Sequence, residues 1–127
     1  MPAPNCIRPT DGELAILRVL WQRGPSTVRE VQETLGAATG YTTALKLLQI
    51  MTEKGLVRRD ESQRTHIYEA AVGEEQTQRL LVNELLNKAF GGSAKQLVLQ
   101  ALSSTKASSA DLAQIRKLIQ QMEKENK

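Results

Sequence analysis

With 127 residues, 40% of them apolar and 24% charged, the chain has the size and balance of one small soluble domain, or of one domain with an extension. A net charge of +3 and a pI near 9.2 permit a polyanionic partner without requiring one. Residues 1–72 carry 9 Lys/Arg against 8 Asp/Glu and residues 73–127 carry 8 against 6, so nucleic-acid binding has to be argued from where the charges sit.

The chain opens on a leader punctuated by Pro2, Pro4 and Pro9, which reads as a flexible tail. It holds the single cysteine, Cys6, which excludes an internal disulfide and a thiolate metal cluster. No signal-peptide h-region is present and no apolar run is long enough to span a bilayer, so a cytoplasmic protein is expected. A first helix starts at Thr10, where Thr10 and Glu13 have capping-box spacing. Leu14, Leu17, Leu20 and Trp21 mark its buried face, and Gly24-Pro25 ends it. A second capping box, Thr27 with Glu30, opens a short helix with Val28, Val31 and Leu35 on one side and Gly36 at its end.

The connection from Gly36 to Gly40 suits the turn of a helix-turn-helix. A third helix is predicted from Thr42 or Thr43 to Lys54, with Ala44, Leu47, Leu48 and Met51 inward and Gly55 as C-cap. Two strands follow, Leu56–Arg59 and Thr65–Ala70, around a polar turn at residues 60–64, with Ile67 alternating with His66 and Tyr68.

From Gly73 the pattern is helical again. Leu81, Val82, Leu85, Leu86, Ala89 and Phe90 make a wide stripe over residues 74–90, and Gly91-Gly92 breaks it. A short helix around Ser93–Leu102 and a final one starting at Ser108 with Asp111 complete the chain, and there is no internal repeat. The expected fold class is mainly α with a small β-hairpin wing. A winged helix-turn-helix domain is expected over residues 8–72, followed by a helical dimerisation region over residues 73–127.

A helix that stops at a Gly and runs into a basic-tipped hairpin is how a winged helix presents itself to DNA. The major groove accepts one helix, whose first residues meet base edges and phosphates. Thr42 and Thr43 suit phosphate contacts or a thymine methyl, Lys46 suits guanine or phosphate, and Gln49 suits adenine. The alternative is that these residues are the solvated face of a surface helix. Arg58 and Arg64 on the ribbon, with Arg59 beside them, suit a phosphate backbone, while Asp60 and Glu61 oppose the charge.

Two rival classes compete with a DNA-binding protein. For an enzyme, the sequence offers one histidine, His66, no Gly-rich phosphate loop, no ligand cluster and no nucleophile with a partner, so neither catalysis nor a cofactor or metal is expected. A winged helix used for protein contact, or as an architectural nucleic-acid module without operator specificity, is the other alternative. Scarce aromatics argue against stacking on single-stranded RNA.

In the C-terminal region Leu81, Leu85, Leu97, Val98, Leu102, Leu112, Ile115, Leu118, Ile119 and Met122 recur at helical spacing. Such short helices bury their stripes poorly alone, and a second copy would complete a core. Packing on the winged domain is the alternative.

The segment from Glu13 to Tyr68 resembles the penicillinase-repressor (BlaI/MecI/CopY) family of bacterial transcription regulators. The residues that carry this are Glu13, Ile16, Val19-Leu20-Trp21, Gly24, Thr27-Val28-Arg29-Glu30-Val31, Leu35, Tyr41-Thr42-Thr43, Leu47-Leu48, Lys54-Gly55-Leu56 and Tyr68. The resemblance implies a homodimeric winged-helix repressor on a short dyad DNA operator, with a protease or sensor that relieves repression as a further partner. On that analogy Thr42, Thr43 and Lys46 face the groove and Arg64 makes the wing contact. Ile50 and Gln63 depart from the residues frequent in the family, Arg and Gly. The cysteine cluster of copper-responsive members has no counterpart near this C-terminus, so thiolate copper sensing is not expected.

Overall fold

A computed structural model describes residues 8–126. Cys6 and the prolines before it lie outside the described residues. Pro9 does not belong to a flexible tail: it is buried immediately before the Thr10 cap, the position a hydrophobic staple occupies.

The elements are α1 (Asp11–Arg23), α2 (Val28–Leu35), α3 (Tyr41–Lys54), β1 (Val57–Asp60), β2 (Ile67–Ala70), α4 (Glu74–Ala89), α5 (Ala94–Ser104) and α6 (Ser109–Glu125). Both expected N-terminal capping boxes form. In the first, the Thr10 amide donates to Glu13 Oε1 at 2.9 Å and the Glu13 amide to Thr10 Oγ1 at 3.3 Å; in the second, Thr27 and Glu30 exchange bonds of 2.9 and 3.2 Å. Helix α3 starts at Tyr41, ahead of the predicted start, because Gly40 serves as N-cap without a side chain. It ends where Gly55 turns left-handed at φ 84°, letting the Leu56 amide reach back to the Met51 carbonyl at 2.9 Å.

The core is shared by all three helices and the ribbon: Ile16, Leu17, Val19 and Leu20 from α1, Val28 and Val31 from α2, Ala44, Leu48 and Met51 from α3, then Leu56, Val57 and Tyr68. The buried face of α1 is rotated from the predicted one. Ile16 and Val19 go inward, whereas Leu14 is half-buried and Trp21 sits at the rim, donating from Nε1 to the Val72 carbonyl at 3.0 Å. An indole needs a partner for its N–H, and the rim supplies one. Leu47 is likewise only half-buried.

The two strands pair antiparallel in the register Val57↔Ala70, Arg58↔Glu69, Arg59↔Tyr68, Asp60↔Ile67. β1 keeps the predicted length but is shifted by one residue, since Leu56 closes the end of α3, and β2 is shorter than predicted, since Thr65-His66 remain in the turn. Tyr68, not Ile67, is the side chain that enters the core. The ribbon is pinned by a bridge that sequence did not reveal. Ser26 donates to the Tyr68 carbonyl at 2.9 Å and accepts from the Tyr68 amide at 2.8 Å, tying the α1–α2 connection to β2.

Glu13 does more than cap. Its side chain is buried, and Lys54 Nζ donates to both carboxylate oxygens, at 3.1 and 2.8 Å, joining the start of α1 to the end of α3. Burial pushes its pKa up, but the Lys54 bonds, the Thr10 amide and the Lys54 charge together outweigh it and hold the carboxyl below its ordinary value of 4.5. The unfolded chain therefore binds this proton more tightly. The contribution to stability is fully present above about pH 4.5 and is lost as pH falls through the lower folded-state value. Glu13→Gln is expected to cost about 1–2 kcal/mol at pH 7 and to flatten the acid limb. Denaturant titrations at pH 7 and pH 4 check this. An undiminished loss at pH 4 in the variant would assign the acid sensitivity to other carboxylates.

The chain divides into two compact units, one through Asn83 and the other from Glu84, so the division falls inside α4 and not at its start. Thr77, in the first turns of α4, is buried and belongs to the first unit. In the second unit Ser93 caps α5, Ser108 and Asp111 form a capping box on α6, and neither helix contains a buried residue. Among the described residues no helix is long and apolar enough to cross a membrane, and no group of His, Cys, Asp and Glu is placed to hold a metal.

Candidate nucleic-acid interface

With Ala44, Leu48 and Met51 committed to the core, helical geometry puts Thr42, Thr43, Lys46 and Gln49 outward, and all four are exposed. Among the described residues Lys46 makes no ion pair or hydrogen bond.

The ribbon's cations are less available than their number implies. Arg58 pairs with Glu69, directly opposite on β2, at 3.1 Å. Arg59 pairs with Glu61 at 2.8 Å, and bonding to the Tyr68 hydroxyl and then to Glu61 raises its pKa further above the ordinary arginine value. Asp60 accepts from the Ser62 amide at 2.9 Å, which shapes the turn and holds its carboxyl below the usual range. Arg64, at the far end of the turn, is exposed and has no carboxylate partner. Of the two ribbon arginines expected at a backbone, Arg58 is thus already compensated and Arg64 is not.

The same pairing recurs through the first unit. Arg23 meets Glu30 at 3.3 Å and Lys54 meets Glu13, so these charges cancel locally. Arg29 on α2, Lys46 on α3 and Arg64 on the wing remain without an acidic partner. Arg18 on α1 likewise has no acidic partner among the described residues, so a near-neutral sum leaves four unopposed cations, three of them on α2, α3 and the wing.

Two of those cations line one cleft. Its volume is about 560 Å³, and its walls are Thr27, Val28 and Arg29 from α2, Tyr41 and Leu45 from α3, and Arg64, Thr65, His66 and Tyr68 from the wing. The Arg29 guanidinium carbon lies 5.7 Å from the centre of the Tyr41 ring, a cation–π distance. His66 is half-buried in the wall. Arg29, Tyr41, Thr65 and His66 are not among the contact residues read from the sequence. No local signal marks them, because the cleft is assembled from three segments distant along the chain.

The family described as penicillinase repressor matches residues 9–121. The chain is 33% identical over 105 residues to the transcriptional regulator BlaI of Mycobacterium tuberculosis, covering 80% of this chain and 76% of that protein. Among solved structures it is similar to the YusO protein from Bacillus subtilis, with a TM-score of 0.53 at 19% identity over 84% of this chain and 75% of that one. It is also similar to a mutant MarR from E. coli complexed with operator DNA, with a TM-score of 0.50 at 14% identity over 89% and 74%. At those identities the two structures speak for the fold alone. The three-helix core, the pinned hairpin and the match over residues 9–121 lead to one assignment: the chain belongs to the penicillinase repressor family of transcriptional regulators, and its first unit has the winged-helix fold.

Proposed function

We propose that this protein is a homodimeric transcriptional repressor that binds a short dyad operator in duplex DNA. The observation that carries the reading is the concentration of Arg29, Lys46 and Arg64, unopposed by acids, on α2, α3 and the wing, beside the exposed outer face of α3. In this reading Thr42, Thr43, Lys46 and Gln49 enter the major groove, Arg64 meets phosphate, and the helices of the second unit pair two copies. Two copies match a dyad, whose half-sites lie about one helical turn apart. The family's repressor name and the likeness to BlaI support the same reading.

The test is binding of the purified chain to its own upstream DNA and to a shuffled duplex of equal length, across a series of salt concentrations. Selective binding at two chains per site, weakening steeply as salt rises, is the expected result. Equal affinity for both duplexes would make it an architectural protein, and absence of binding at low salt would redirect attention to protein partners. Lys46→Ala is expected to cost about 1–3 kcal/mol on the operator and to relax specificity at one base pair. Competition binding against single-position operator variants reads this out, and unchanged affinity would remove Lys46 from the groove.

A further inference from the structure

The cleft differs from the surface around it in one respect: no carboxylate lines it. Of the acids near it in sequence, Glu61 is engaged with Arg59, Glu69 with Arg58, Asp60 with the Ser62 amide and Glu30 with Arg23 and the α2 cap, while Glu33, one turn beyond Arg29 on α2, is exposed and does not line the cleft. Two guanidinium groups, an imidazole and the hydroxyl-bearing side chains of Tyr41, Thr27 and Thr65 share its walls. That is a donor set for an anion with several acceptor oxygens. Arg29 is held ready for one by its place over the Tyr41 ring, which restricts the guanidinium without using its N–H donors. At about 30 Å³ per water, the space equals roughly twenty waters, enough for a sugar–phosphate unit with part of its hydration.

We propose that this acid-free cleft seats one phosphodiester of duplex DNA, gripped from α2 by Arg29 and from the wing by Arg64, with Thr65 and His66 on the wall between. The assignment rests on the DNA-binding reading and extends it to residues outside the recognition helix. Its position favours a backbone over a free anion. Tyr41 lies in the cleft wall and Lys46 is about 7.5 Å further along the axis of α3. A strand seated in the cleft therefore borders the groove into which the outer face of α3 points. The cleft would then fix the angle at which α3 enters, because it engages α2 and the wing at once.

The experiment uses the full chain and two substitutions, Arg29→Ala and Arg29→Lys, with binding to operator and shuffled duplexes measured against salt. Arg29 is exposed on α2, so the fold is expected to survive, which circular dichroism verifies. Arg29→Ala is expected to weaken both duplexes by a similar factor, about tenfold at low salt, and to reduce the slope of log affinity against log salt by about 0.9. Arg29→Lys is expected to keep the slope and lose part of the affinity, since the point charge remains but the planar fork does not.

A wild-type chain that binds no duplex would sink the DNA reading itself. Wild-type operator binding with Arg29→Ala unchanged in affinity and slope would overturn the cleft assignment alone. A loss confined to the operator would also overturn it, because a phosphate contact carries no sequence information. Inorganic phosphate, titrated at constant ionic strength without DNA and followed by the His66 ring resonances, separates the remaining source. Saturation below about 1 mM together with undiminished DNA binding by Arg29→Ala would assign the cleft to a free anion and overturn the proposal.

Discussion

Leu118→Asp in α6 is expected to convert the protein to monomers and to lower operator affinity by about 100-fold or more. Leu118 is 56% exposed and Ile119 48%, and Leu112, Met122, Val98 and Leu99 are exposed as well. Side chains of this kind, exposed on helices that only half-bury Leu97, Leu102 and Ile115, form a surface that a partner would cover. A second copy would cover it, and a stable interface buries roughly 1,000 Å² or more. A carboxylate placed in its centre would have to be desolvated without a counter-charge. The effect on DNA comes from linkage: two winged units on one dimer meet their half-sites at an effective concentration set by the tether, which contributes about 10²–10⁴ in avidity. Sedimentation and operator titration read the two effects separately. A persistent dimer would place the interface elsewhere, and monomers with full operator affinity would mean that the half-sites are bound independently.

Tyr68→Ala is expected to cost about 3–5 kcal/mol, the range for removing a large buried aromatic, and so to take much of the stability of a small domain. Tyr68 is 1% exposed, fills the core between α1 and the ribbon, and lies opposite Arg59 in the strand register. Its main chain also makes both hydrogen bonds of the Ser26 bridge. The wing is thus expected to lose its fixed position as the core loosens. Tyr68→Phe separates the two contributions: it keeps the packing and removes only the hydroxyl bonded to Arg59, at an expected cost of about 0.5–1.5 kcal/mol. Thermal and denaturant unfolding of both variants supplies the comparison. Equal losses would mean that the hydroxyl, not the ring volume, dominates.

Three capping boxes, at Thr10/Glu13, Thr27/Glu30 and Ser108/Asp111, and the C-cap at Gly55 were legible in the sequence because their causes are local. Each is settled by residues a few positions apart, so helix order and starts followed with errors of a residue or two. The outward placement of Thr42, Thr43, Lys46 and Gln49 was legible for the same reason, since helical periodicity carries it once Ala44, Leu48 and Met51 are assigned inward. Family likeness needed only the order of such residues along the chain.

Tertiary structure decided what depends on distant partners. Glu13 reads as a cap in sequence, but its burial depends on Lys54, 41 residues away. Single residues such as Ser26 leave no periodic trace, so the bridge to Tyr68 appears only when the α1–α2 connection meets β2. The useful charge follows the same logic. Arg58, Arg59 and Arg64 look equivalent along the chain, and only the register Arg58↔Glu69 and the ion pair with Glu61 separate the compensated pair from the free one. The cleft joins residues from α2, α3 and the wing, and its lack of acids is a property of how those segments pack, which periodicity does not encode.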